Sequence, residues 1–303
     1  MSAVSAVAAL IALAGALPLA AVGRRRSRAS EEILEEVARR RSGRMERSGR
    51  GRRLRVERDG ALVSVRMQMG LAGTFVSWSA WLPPPGTIAF WVETRRQGDD
   101  GRVAVHADFP GLLERVWRPE DAATMTAWPR GSRLSGAVRR VKLHVCVSHP
   151  DVALVEAGLD LLLAVAAADP YGLQALRTLP DARDLRAPAG ELPGVVVTGP
   201  VPVHIGPAAE GSRVFTRARA ELRLTSASGA TQVVAGRADP AGCAALPEAA
   251  RRHLPLLGTA AVEWGARGAA IRWPKIEEDP RRLGAAVAFL RALAAAPSLG
   301  AFR

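Results

Sequence analysis

Three kinds of hydrophobic pattern run along this chain. The first is unbroken: Ala3 to Val22 is apolar and uncharged over 20 residues and stops at Arg24, Arg25, Arg26 and Arg28. A helix of that length crosses a bilayer core about 30 Å thick. Nine of the 20 residues are alanine, and Gly15 and Pro18 interrupt the run, so insertion is favoured only modestly.

The second pattern alternates. Leu54 to Met69 switches between apolar and polar positions around Asp59-Gly60, which predicts a β-hairpin. Ile88 to Val92, Val103 to His106 and Val138 to Val147 predict further strands. In the second half, Val195 to Val197, Val201 to Ile205, Val214 to Leu224, Gln232 to Ala235 and a hairpin over Ala260 to Ile276 do the same.

The third pattern has the helical period. Ser30 to Arg41 predicts a short helix with Ser30 as its N-cap, acids first and arginines last, and the pairs Glu35/Arg39 and Glu36/Arg40. Its apolar stripe of Ile33, Leu34 and Val37 is narrow, which points to a solvated stalk, followed by a flexible linker over 42–51. Asp108-Phe109-Pro110 and Pro119-Glu120 open two helices. Ser148 and Asp151 form a capping-box-like start for a helix from Val152 to Ala167, and Asp279-Pro280 opens a last one ending near Ala295.

The second half repeats the order of the first. Pro119-Glu120 maps onto Pro247-Glu248 with a shift of 128, and Leu154 and Leu161 map onto Leu283 and Leu290 with a shift of 129. The expected fold is α+β: an N-terminal transmembrane helix, then an internally duplicated body of two antiparallel β-sheets, each covered by helices. The expected segments are a signal-anchor with a basic stop over 1–28, a juxtamembrane helix and linker over 29–51, a first repeat over 52–168, a connector over 169–193 and a second repeat over 194–303.

Charge gives the anchor a direction. Met1-Ser2 carries no charged side chain and the cations follow the apolar run, which sets an anchor apart from a cleaved signal. It also places the N-terminus outside and the body in the cytoplasm of a single-pass, bacterial-type inner-membrane protein. Of the net charge of +13, 14 Arg against six Glu between Arg24 and Arg58 account for +8. The excess therefore reads as a collar, led by Arg24, Arg25, Arg26 and Arg28, that faces anionic lipid headgroups. That placement argues against nucleic acid, as does the scarcity of aromatics, with Tyr171 the sole tyrosine. Lys142 and Lys275 are the only lysines. In a chain rich in Ala, Gly and Pro this follows from GC-rich coding and says little about phosphate binding.

No phosphate loop, dinucleotide fingerprint, nucleophile elbow or zinc-protease helix motif occurs. Cys146 and Cys243, the only cysteines, form neither a disulfide framework nor a zinc spacing. The densest polar constellation is His106 and Asp108 with His144 and Cys146. It could surround a zinc-type ion if the two strands were neighbours, but strand ends and helix caps explain the same residues, so no cofactor is expected. Glu277, Glu278 and Asp279 suit the start of the last helix. Trp78, Trp81 and Trp91 flank Pro83-Pro84-Pro85, whose run suggests a stiff extended segment. Tryptophans beside it suit a partner groove or a membrane-interface contact. The sequence thus points to a binding module that engages another protein or its own copy. The alternatives are an enzyme with its site in a cleft between the halves, and a periplasmic envelope binding protein if the topology is reversed.

Overall fold

Alternation along the strands builds two antiparallel sheets. The computed structural model describes residues 27–48, 51–70, 73–95, 103–137, 139–185, 192–211, 213–220, 232–235, 246–265 and 268–295. The apolar run 3–22, Arg24, Arg25, Arg26 and Cys243 lie outside the described residues. Among the described residues no helix is long and apolar enough to cross a membrane. Contacts divide the chain into two units, one holding the residues up to Asp108 and Val116–Ala168, the other Phe109–Arg115 and the residues from Asp169 onward.

Helix α1 (27–40) opens the first unit. Strands β1 (Arg44–Ser48), β2 (Gly51–Arg58), β3 (Ala61–Gly70), β4 (Gly73–Trp81), β5 (Phe90–Thr94) and β6 (Val103–Ala107) follow. After helices α2 (Pro110–Val116) and α3 (Pro119–Thr126) come β7 (Arg133–Ala137), β8 (Arg140–Val147) and helix α4 (Val152–Ala167). The strands form one antiparallel sheet in the order β1-β2-β3-β4-β8-β7-β5-β6. The predicted hairpin is β2–β3. Arg58 pairs with Ala61 across a two-residue loop in which Asp59 and Gly60 take φ of 51° and 77°, the positive values a turn matched to strand twist requires.

Val63, Val65, Val76, Trp78, Val141 and Leu143 fill one face of this sheet and are buried. Helix α4 lies across β3, β4 and β8 on that face. The Trp78 indole stacks on Trp128, with centroids 6.4 Å apart and planes 2° from parallel, and its Nε1 donates to the Val155 carbonyl at 3.1 Å. A Cβ on Gly158 would come within 2.4 Å of that indole, so a glycine is required for α4 to lie this close. Asp151 caps α4 by accepting from Leu154 N at 2.7 Å; the cap is Asp151 itself, one residue before the helix, rather than a box opened by Ser148.

Helix α1 belongs to the same core and is not a solvated stalk. Leu34 and Val37 are 2% and 0% exposed. The helix is already formed at residue 27, so Ser30 lies inside it. A narrow stripe suffices because the polar flanks are tied down. Arg41 reaches Glu156 at 3.4 Å and Asp160 at 2.7 Å on α4, and Arg52 of β2 pairs with Glu35. Glu36 takes Arg40 at 2.8 Å, as the spacing predicts, and also Arg39, leaving Glu35 free to turn toward β2. Gly43 N then donates to Ala38 O at 2.8 Å while Ser42 takes a φ of 52°, closing the helix. Residues 44–48, expected within a flexible linker, are strand β1. Glu46 fixes it by accepting from Arg53 and Arg55 of β2, both at 2.8 Å.

The second unit takes most of α2. From the expected connector it takes helix α5 (Leu173–Arg177) and strand β9 (Ala182–Leu185). Then come β10 (Gly194–Val197), β11 (Val203–Glu210), β12 (Arg213–Ala220), β13 (Gln232–Ala235), α6 (Glu248–Arg251), a 3-10 turn (Leu254–Leu257), β14 (Ala261–Gly265), β15 (Gly268–Arg272) and α7 (Pro280–Ala295). Its antiparallel sheet runs β13-β14-β15-β12-β11-β10-β9. Leu283, Phe289, Leu290 and Leu293 of α7 are fully buried, and Trp273 Nε1 donates to Leu257 O at 3.0 Å. Both sheets begin as a four-strand meander, β1–β4 and β9–β12. The last meander strand then pairs with the unit's final strand, β8 or β15, and the order runs back through β7 and β5, or β14 and β13.

Truncating Leu34 tests the placement of α1. We expect Leu34→Ala to cost about 2–5 kcal/mol of stability in urea denaturation followed by tryptophan fluorescence, the range for a buried leucine. A solvated helix would lose almost nothing.

Candidate functional site

Because side chains alternate across a strand, burying Val76, Trp78, Val141 and Leu143 sends their neighbours to the opposite face. Among the described residues no helix lies over that outward face. Register aligns its residues into rows. One row is Ser64, Ser79, Lys142, Ser135, Trp91 and His106, running from β3 through β4, β8, β7 and β5 to β6. The next is Arg66, Ser77, His144, Arg133 and Glu93. Trp81 stands opposite Arg140 at the end of a third.

Two cations rest on aromatic rings here. The Arg140 guanidinium lies 4.9 Å from the Trp81 ring centroid and that of Arg133 lies 5.6 Å from Trp91. Arg140 Nε also donates to Ser79 Oγ at 2.9 Å. His106 extends the second ring pair, with its centroid 6.0 Å from Trp91. Among the described residues no acidic group lies within 4.0 Å of Arg66, Arg133, Arg140 or Lys142. Glu93 stands across from Arg133 in the same row without forming an ion pair with it, and toward β1 hydrogen bonds from Arg55 and Arg53 hold the Glu46 carboxyl below its ordinary pKa. His144 feels the unanswered cations. Burial of its ring, then Lys142, Arg133 and Arg140, lower its pKa, while Nδ1 sits 3.0 Å from Ser77 Oγ.

The nominated tryptophan–proline segment separates into inside and outside. Trp78 is a core residue with 0% exposure and offers no partner surface, because its strand position faces α4. Trp81 is 52% exposed and Trp91 is half-buried, both on the outward face. Pro83, Pro84 and Pro85 are not an extended rod. Gly86 N donates to Pro83 O at 2.9 Å, which makes the segment a turn, and the flanking Leu82 and Ile88 sink into the core. Pro83 and Pro84 remain exposed, and so does Arg28 on α1.

The possible metal quartet does not assemble. His106 is on edge strand β6 and His144 on β8, with β7 and β5 between them, roughly 14 Å apart at about 4.8 Å per strand. Asp108 follows β6, and its N–H donates to Ala89 O at 3.3 Å, while Cys146 is a free thiol beside His144 on the outward face. Among the described residues no three His, Cys, Asp or Glu side chains come together to hold a metal.

The outward face of the second sheet is also cationic. Arg217 and Arg219 of β12 flank a depression of about 60 Å³ that also meets Leu185, Gly194, His204 and Gly206. Its floor is bare backbone, since a Cβ on Gly206 would lie 2.9 Å from Gly194 Cα. Nearby, the Arg272 guanidinium lies 3.8 Å from the Phe215 ring centroid. A larger cavity of about 250 Å³ in the first unit lies between the β2–β3 turn and α4 and is lined mainly by Leu163, Ala164, Ala166 and Ala167. Its polar groups are already engaged, Asp160 with Arg41 and Arg58 with Asp59.

The sequence drew attention to Trp81 and Trp91 and passed over Arg66, Arg133, Arg140 and Lys142. The alternation Arg140-Val-Lys142-Leu-His144-Val was the available signal. It places these cations on one face of one strand, but it does not say which strands lie beside it. Comparison with known protein families, curated proteins and solved structures finds no match.

The lowered pKa of His144 makes stability depend on pH. Below its ordinary 6.5 the unfolded chain takes up this proton before the folded chain does, so stability falls as pH drops through that value. His253, lowered by burial and Arg252, acts in the same sense. We expect an NMR titration of His144 with a midpoint below 6.5, and His144→Gln to flatten the loss of stability in urea titrations between about pH 7 and pH 5.

Proposed function

We propose that this chain is a membrane-anchored binding module that engages a polyanionic partner through the outward face of its first sheet. One observation carries this reading: a face left open by every described helix gathers Arg66, Arg133, Arg140 and Lys142, with two ring-stacked guanidiniums and no acidic partner for any of the four among the described residues. Like charges held together on a rigid sheet repel one another, and a polyanion relieves that repulsion while releasing its own counterions.

Internal duplication belongs to the same proposal. The two sheets share their order over seven strands, the first carrying β6 in addition, and α4 and α7, each of 16 residues, sit 128 residues apart. A module of this kind offers two cationic faces from one ancestral topology. The anchor is supplied by the apolar run 3–22 with its arginine stop, which gives an N-out, inner-membrane address with the body in the cytoplasm.

Two measurements test these statements. On a heparin column the full-length protein in detergent should elute at high salt. The double variant Arg133→Glu/Lys142→Glu should elute at clearly lower salt, because each lost contact reduces the salt slope by about 0.7–0.9. Arg251→Glu/Arg281→Glu, with the same change in net charge on exposed helical positions, serves as the comparison, and equal elution of the two double variants overturns the assignment of the face. Separately, membranes washed with alkaline carbonate should retain the full-length chain. Its release would remove the anchor.

A further inference from the structure

We infer that the polyanion held by the first sheet is single-stranded nucleic acid, its bases stacking on Trp81 and Trp91 and its phosphates meeting Arg66, Arg133, Arg140 and Lys142. The inference rests on reading this face as a binding surface, and it adds the identity of the ligand. The sequence argued against nucleic acid because its basic excess reads as a membrane collar. The structure moves much of that excess. Arg39, Arg40, Arg41, Arg44, Arg47, Arg52, Arg53, Arg55 and Arg58 lie on or beside α1, β1 and β2, inside the folded unit. Arg53 and Arg55 share the outward face with Glu46 as their common carboxylate.

The geometry separates the possible polyanions. Trp81 is on β4 and Trp91 on β5, with β8 and β7 between them and a two-residue offset along the strands. That puts the rings roughly 16 Å apart, from about 4.8 Å per strand and 3.4 Å per residue. A strand a few nucleotides long reaches both, and between them lie Arg140, Lys142 and Ser135, cations and a hydroxyl suited to phosphate and sugar. Flat rings among cations on an open sheet are the combination that holds unpaired bases, which offer a π-face whatever their sequence. A duplex is a poor fit because the face presents neither a helix nor a protruding ribbon to enter a groove. An anionic membrane would need a continuous apolar body to insert, and here Trp81 with its neighbour Leu62, Phe75 and Trp91 are interspersed with serines and charges. An acidic peptide satisfies the cations but leaves the rings unused, and extended peptides add to sheet edges rather than faces.

The test uses full-length protein in detergent and fluorescence anisotropy with a labelled oligothymidylate about 15 nucleotides long, near the upper end of single-strand site sizes. Competitors are a duplex of equal length, polyglutamate, and phosphatidylserine vesicles. We expect the oligonucleotide to bind and, with four phosphate contacts at about 0.7 each, to lose roughly fiftyfold in affinity between 50 and 200 mM salt. Trp81→Ala should weaken binding by about fivefold or more, the lower end of a lost base stack. Its melting temperature should not move, since the side chain is 52% exposed. If Trp81→Ala binds as tightly as the parent, or if polyglutamate or vesicles compete as well as the oligonucleotide, stacking is absent. The inference then fails, while the reading of a general polyanion face stands. If none of the four probes binds, both fail.

Discussion

Helix α4 can settle on the first sheet only because Gly158 leaves room for the Trp78 indole, and most of the unit follows from that contact. The indole fills the middle of the inner face, its N–H is satisfied by the Val155 carbonyl, and Trp128 stacks against it from the loop that leads into β7. A buried tryptophan placed in this way contributes both apolar area and a directional polar tie. It also sets the strand parity. With Trp78 inward, Ser77 and Ser79 must face outward. In the register of β4 with β8, Leu143 joins Trp78 inside while Lys142 and His144 are sent outside. A slip of one residue would bury Lys142 and His144 and expose Leu143, so the apolar core enforces the charged face.

That face concentrates like charge instead of dispersing it. Arg133 and Arg140 gain some compensation by lying over tryptophan rings, and Arg140 by donating to Ser79. Neither device neutralises the field, and Lys142, Arg133 and Arg140 add to the burial that lowers the pKa of His144. The second sheet follows the same plan with different residues. Arg217 and Arg219 border a glycine-floored depression, and Arg272 covers Phe215. Among the described residues, helices pack on the apolar face of each sheet and none lies over the cationic face of the first.

Local signals with their own geometry were readable in the chain. Asp59-Gly60 specifies a tight turn, and the β2–β3 hairpin forms around it. Asp279-Pro280 starts α7, where Asp279 accepts from Arg281 N at 2.9 Å. The misreadings share a cause. The stripe on α1 looked too narrow for a core helix because the ion pairs to Glu156, Asp160 and Glu35 that complete its burial come from distant segments. Residues 44–48 lack the apolar alternation of a strand because β1 is an edge held largely by arginine–glutamate pairing. The three prolines suggested extension, yet Leu82 and Ile88 on either side pull both ends into the core and close the segment into a turn.

Parity, turns, caps and helix period depend on neighbours a few residues apart, and these were settled by the order of the amino acids alone. So was the alternation that puts Arg140, Lys142 and His144 on one side of one strand. The order β4-β8-β7-β5-β6 was decided only by the assembled sheet, because it depends on pairings across more than seventy residues of chain, for instance Phe75 with Cys146. That order separates His106 from His144 and dissolves the metal quartet. It also brings Trp81, Lys142, Arg133 and Trp91 onto one open surface, a juxtaposition in space that no spacing along the chain records.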